Sequence, residues 1–84
     1  FPLNKVDITL RKMKSRWGAC FYKKNKICFN SVLVHVDKKL IDYVIIHELC
    51  HFIEPNHSKK FYLEIEKRMP DYKQREKKLA EVGI

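Results

Sequence analysis

No segment constrains this chain more than His47-Glu48-Leu49-Cys50-His51. An α-helix turns about 100° per residue, so two histidines four apart stand almost above one another on one face. Their imidazoles can reach a single tetrahedral metal ion, most simply Zn²⁺. Glu48 projects about 100° around the helix from His47, which sets a carboxylate beside such an ion as base for a bound water rather than as a ligand. His57 follows His51 by six residues, beyond Pro55. That is the interval of the three-histidine pattern H-E-x-x-H-x-x-G-x-x-H, with Glu54 where the pattern has Gly. His47, His51 and His57 are thus the expected metal ligands and Glu48 the expected catalytic residue. Glu54, Glu64 and Glu66 are the rivals for the third ligand position. A core helix that carries histidines without any metal is the bland alternative.

The helix that bears the motif has readable limits. Asp37 suits an N-cap, with Val36 and Ile41 placed as a hydrophobic staple. Pro55 disfavours helical geometry at Glu54, so the helix is expected from Lys38 to about Ile53. Leu40, Ile41, Val44, Ile45, Leu49 and Phe52 form a broad apolar arc. Ile46, Cys50 and Ile53 occupy the far side, a pattern of burial all round. Buried histidines and a buried glutamate need partners, and a metal supplies one to the histidines. Asn56 tolerates a left-handed turn, so Glu54-Pro55-Asn56 is expected to reverse the chain and return His57 to the metal. A second helix opens at His57 or Ser58, carries Phe61, Ile65 and Met69 on one face, and stops at Pro70. Asp71 caps a third, whose apolar stripe is Tyr72, Leu79 and Val82.

Ahead of the helices, Val6, Ile8 and Leu10 alternate with polar residues and read as a half-buried strand. Cys20-Phe21-Tyr22 and Ile27-Cys28-Phe29 read as two more, joined by the polar turn Lys23-Lys24-Asn25-Lys26, with Gly18 marking a bend or bulge. The expected fold is α+β: a small antiparallel sheet of about three strands followed by three helices, with the motif on the first helix. Cys20 and Cys28 are read as small buried hydrophobes, with a facing pair across the hairpin and a metal role as the other reading. Trp17 is expected in the core, with Arg16 paired to a carboxylate or a backbone carbonyl; a phosphate clamp with a stacking platform is the other reading of that pair. His35, between two valines, is expected to be structural.

Eighty-four residues make one small domain, whose core a bound metal would help to stabilise. No apolar run is long enough to span a membrane, and no signal peptide is expected. The chain opens Phe1-Pro2-Leu3 without Met, so residues 1–84 are expected to be the C-terminal part of a longer protein. Three cysteines, none in C-x-x-C spacing, point to a reducing cytoplasm rather than a disulfide framework. The net charge of +8 suits attraction to nucleic acid, a nucleotide or an acidic protein surface. It equally describes a solvated basic surface, and the spread of lysines along the whole chain favours that.

Four elements of the chain resemble the YgjP-like metallopeptidase family, small zincin-type proteins related in pattern to WLM and SprT-like domains. They are Lys14-Ser15-Arg16-Trp17-Gly18-x-Cys20, the helix from Ile41 to His51, Asn56-His57-Ser58-x-x-Phe61, and Met69-Pro70-Asp71-Tyr72. The resemblance implies a zincin-like core, zinc on His47, His51 and His57, and Glu48 as the catalytic residue. The expected activity is zinc-dependent hydrolysis of peptide or protein substrates, an anionic one included. An edge strand would hold the peptide, and the oxyanion donor would come from Tyr62, Tyr72 or Arg16. Two readings compete. A zinc-dependent nucleoside triphosphate hydrolase would use the same site and the basic segment from Lys14 to Trp17. A non-enzymatic zinc-stabilised nucleic-acid-binding module would not need Glu48.

Overall fold

In a computed structural model that describes residues 5–83, three strands precede three helices. They are β1 (Asp7–Arg11), β2 (Gly18–Phe21), β3 (Lys26–Asn30), α1 (Lys38–Cys50), α2 (Lys59–Arg68) and α3 (Tyr72–Val82), with short 3-10 turns at Tyr22–Lys24 and Ser31–His35. The α+β class and the motif on the first helix agree with the reading of the sequence. No helix among the described residues is long and apolar enough to cross a membrane.

The sheet has the order β1-β3-β2. β2 and β3 form the expected antiparallel hairpin, with Ala19 opposite Cys28 and Cys20 opposite Ile27. Asn25 closes its turn in the left-handed region, at φ 51°. β1, however, runs parallel to β3, with Ile8 beside Ile27 and Leu10 beside Phe29. The sheet is therefore mixed, which corrects the expectation of an all-antiparallel one. The reason lies in residues 12–17, which offer no tight turn and are tied down by Asn30. That side chain is wholly buried. Its Nδ2 donates to the carbonyls of Met13 at 3.0 Å and Arg16 at 2.8 Å, and its Oδ1 accepts from the Val32 amide at 3.1 Å and the Met13 amide at 3.5 Å. An amide so fully used holds the segment across the end of β3, and the chain passes from one side of β3 to the other.

Two further expectations change with the sheet. Ile8 is 54% and Leu10 62% exposed, so β1 is not half-buried. Both share a face with Ile27 and Phe29, but α1 packs on β2, at the opposite edge. Cys20 and Cys28 do not face each other, because each pairs with the other's neighbour and adjacent strand residues point to opposite faces. All three cysteines are free. His35 is exposed in its 3-10 turn.

The core joins Ile27 and Phe29 of β3 to Leu40, Tyr43, Val44 and Leu49 of α1, and these to Phe61 and Ile65 of α2 and Tyr72 and Leu79 of α3. Trp17 packs partly against it, as do Val36 and Ile41 of the expected staple. Asp37 caps α1, its Oδ1 accepting from the Lys39 amide at 2.9 Å, and Ser58 caps α2 through the Phe61 amide at 3.4 Å. Asp71 precedes α3 but turns its carboxylate to Arg75 Nε at 3.0 Å instead of to a backbone amide. Val82 is 55% exposed, so the α3 stripe is only Tyr72 and Leu79. α1 is less enclosed than its composition suggests, since Ile45 and Ile46 are half-buried and Ile53 is exposed. It also ends earlier than expected. At residues 51–53 the backbone tightens into three-residue turns, with the amides of His51, Phe52 and Ile53 donating to Glu48, Leu49 and Cys50.

Candidate metal centre

The early end of α1 is what brings the third histidine round. His51 is the C-cap of the helix, the turns at 51–53 begin the reversal, and Pro55 extends it with a fixed φ and no amide to donate. Asn56 takes no left-handed conformation: among the described residues Asn25 is the only non-glycine with positive φ. That corrects the expected turn, since a reversal already begun in tight turns needs no left-handed step. His57 Nε2 then lies 3.3 Å from His47 Nε2 and 3.1 Å from His51 Nε2. One Nε2 carries at most one proton, so hydrogen bonding accounts for only one of these two approaches. Nitrogens about 2.0–2.1 Å from a tetrahedral zinc would be roughly 3.3 Å apart, and the donor set fits such an ion.

The outward nitrogens of His47 and His51 are engaged as a metal site requires. His51 Nδ1 lies 3.1 Å from the Pro55 carbonyl, to which its N–H donates. Tyr43 Oη donates to Glu76 Oε2 at 3.1 Å, which leaves the hydroxyl oxygen to accept from His47 Nδ1 at 3.3 Å. Both bonds place the proton on Nδ1 and leave Nε2 with a lone pair. Burial, and then the neighbouring imidazoles, push His47 down to about 4; burial and His57 lower His51 as well. Both rings are neutral at pH 7 and able to ligate. Phe61, fully buried on α2, floors the site. Its ring centroid is 5.0, 4.5 and 5.0 Å from those of His47, His51 and His57.

Among the described residues, the His, Cys, Asp and Glu groups that converge here are His47, His51 and His57. Glu64 is turned away to Lys67 at 3.2 Å and Arg68 at 3.3 Å, and Glu54 and Glu66 are not in the cluster. Glu48 is 6% exposed and lies under β2, where Gly18 leaves room for it. Burial pushes its carboxyl up to about 7, with Arg16 pulling the other way. The Cys20 thiol is raised to about 11 by burial and then by the charge of Glu48, so it stays protonated.

These groups line a cleft of about 610 Å³ between β2 and α2–α3. Tyr62 and Arg16 line it, whereas Tyr72 does not; Tyr72 is buried behind Tyr62, with ring centroids 6.1 Å apart. The Arg16 guanidinium makes no hydrogen bond or close ion pair among the described residues, although its charge acts on the Glu48 carboxyl. The hydrogen bond at Arg16 is to its own carbonyl, from Asn30. Sequence reasoning placed Phe61 only on the apolar face of the second helix and gave no role to Tyr43, Glu76 or Asn30. Tyr43 stands one turn before His47 on the same helix face, which is a usable signal; Glu76 gives none.

The family described as "YgjP-like, metallopeptidase domain" matches residues 1–82. No curated protein matches the chain. Among solved structures, the metallopeptidase zymogen of Pyrococcus abyssi abylysin aligns at 26% identity and a TM-score of 0.79, over 88% of this chain and 74% of that one. The metallopeptidase zymogen of Methanocaldococcus jannaschii jannalysin aligns at 28% identity and a TM-score of 0.78, over 94% of this chain and 84% of that one.

Proposed function

The chain belongs to the YgjP-like metallopeptidase family, and from that premise we propose a zinc-dependent peptidase with the ion on His47, His51 and His57 and Glu48 as general base. The observation that carries this is the approach of three Nε2 atoms to 3.1–3.3 Å beside a buried carboxylate. Zinc, when bound, supplies Lewis acidity that activates water and polarises the scissile carbonyl.

The residues of the chain do the rest. Glu48 takes the proton of the attacking water as the C–O bond forms, and gives it to the leaving amine as the C–N bond breaks. Burial raises this carboxyl in the metal-free protein, so Glu48 holds a proton more readily than an exposed glutamate does, as both transfers require. Tyr62 is the proposed oxyanion donor. Burial, then the charge of Glu76, raises its phenol and keeps the proton available. β2 pairs with β3 on one side only, and its free edge lines the cleft, so an extended peptide can add to it as a further strand.

Arg16 is the only Lys or Arg lining the cleft among the described residues, so the site lacks the cationic cluster that a triphosphate would require. The test is removal of the metal. A chelator should abolish cleavage of unfolded-protein or peptide substrates, and one equivalent of Zn²⁺ should restore it. Cleavage that persists in protein shown by elemental analysis to be metal-free would overturn the proposal.

A further inference from the structure

Arg16 combines two properties that rarely occur together on a surface side chain. Its backbone is fixed: the wholly buried Asn30 holds its carbonyl at 2.8 Å, and the Asn30 amide donates to the next carbonyl, that of Trp17, at 2.9 Å. Its guanidinium nevertheless has no hydrogen-bond or ion-pair partner among the described residues. Glu48 and Glu76 are the other charged groups lining the cleft. The first is buried under Gly18 and the second is occupied by Tyr43. Arg16 is therefore a cation on a fixed backbone lining a substrate cleft, its charge felt by Glu48 but its guanidinium without a hydrogen bond among the described residues, and a planar guanidinium is the side chain best matched to a carboxylate.

The direction of β2 says which part of a substrate meets it. Gly18, the first residue of β2, lies over Glu48, so the bond to be cleaved passes close to Gly18. A peptide that adds antiparallel to β2 runs back toward the start of that strand. Residues that follow the scissile bond then pass Arg16, which is two positions before Gly18 and within about 7 Å along an extended chain. We propose that Arg16 binds a substrate carboxylate just beyond the cleaved bond, so that the cleft selects peptides with an acidic side chain or a free C-terminus there. This rests on the peptidase reading above and adds a substrate class to it.

The experiment uses matched peptides: Glu against Gln just after the cleaved bond, and a free C-terminus against an amide, which separates the two carboxylate sources. The zinc-loaded protein should favour the acidic member of at least one pair by about tenfold or more in kcat/KM, chiefly through KM. Arg16→Gln should erase that preference and Arg16→Lys should restore part of it. An unchanged preference in Arg16→Gln, or none in the parent, overturns the proposal. Binding is read separately. Trp17 is the only tryptophan and adjoins Arg16, so its fluorescence in the Glu48→Gln protein should report about tenfold tighter binding of the favoured acidic peptide, lost when Arg16→Gln is added. Acid-selective binding that is lost with Arg16→Gln, without any cleavage by the parent protein, would uphold Arg16 as the carboxylate site and defeat the peptidase reading. Cleavage without acid selectivity would do the reverse.

Discussion

A Cβ built on Gly18 would lie 3.2 Å from Cγ of Glu48 and 3.3 Å from the Cys28 carbonyl oxygen. The glycine is required by this approach of β2 to the proposed base, not by an unusual backbone angle. A methyl group there would press on a backbone oxygen that cannot move and on a side chain that can. Gly18→Ala should thus cost about 1–3 kcal/mol of stability, as small overpacking does. It should also reduce kcat/KM at least about tenfold while zinc is retained. Full activity in the variant would show that the position of Glu48 is not set by β2.

Glu48→Gln removes the proposed base and keeps the shape. The variant should hold zinc as tightly as the parent and lose about two orders of magnitude or more in kcat on a peptide substrate. Loss of metal together with activity would instead make Glu48 part of the metal's own shell.

The same variant makes a thermodynamic prediction for the metal-free protein. Glu48 is raised from 4.5 to about 7 in the fold, so it favours the folded state below about pH 4.5 relative to higher pH, and that contribution is lost as pH rises through about 7. His47 has the opposite sense: lowered from 6.5 to about 4, it contributes above about pH 6.5 and is lost as pH falls through about 4. The two offset each other between these limits. Glu48→Gln lifts the first and leaves the second. The stability gain of the variant over the parent should therefore increase with pH, reaching about 3 kcal/mol above pH 7. Denaturant titrations across pH 4–8 check the sign, and a gain that shrinks with pH would contradict it.

Tyr43 links His47 to Glu76, two residues 29 positions apart in the chain. Tyr43→Phe keeps the buried ring and removes the acceptor for His47 Nδ1. Zinc affinity should fall roughly tenfold or more, the usual cost of losing such an outer partner, while the melting temperature of the metal-free protein changes little. Glu76→Gln should have a smaller effect in the same direction. Competition with a chromophoric chelator measures both.

His57→Ala and Glu64→Ala decide the third ligand. The first should weaken zinc binding at least about tenfold and the second should not, because Glu64 is paired with Lys67 and Arg68 on the surface. The reverse order would move the metal onto the second helix.

What could be read from the residues alone were relations confined to one turn of chain. The spacing of His47 and His51, the cap at Asp37, the break at Pro55 and the buried face of Phe61 and Ile65 depend on helix geometry and on local hydrogen bonds, which neighbours in sequence decide. The interval to His57 was legible for the same reason, although the turn that realises it uses three-residue bonds at 51–53 rather than a left-handed Asn56.

Only packing decided the rest. The parallel pairing of β1 with β3 depends on a buried Asn30 that reaches back to Met13 and Arg16, and no periodicity announces such a bond. The exposure of Ile8 and Leu10 follows from which edge of the sheet α1 covers. Glu76 joins the site because α3 packs on α1, and Gly18 matters because β2 rests on Glu48. Alternation and helical period say which face a residue occupies; they do not say which distant element will lie against it. Those contacts are settled by long-range burial and by the need of buried polar groups for partners, and they exist only once the chain has folded.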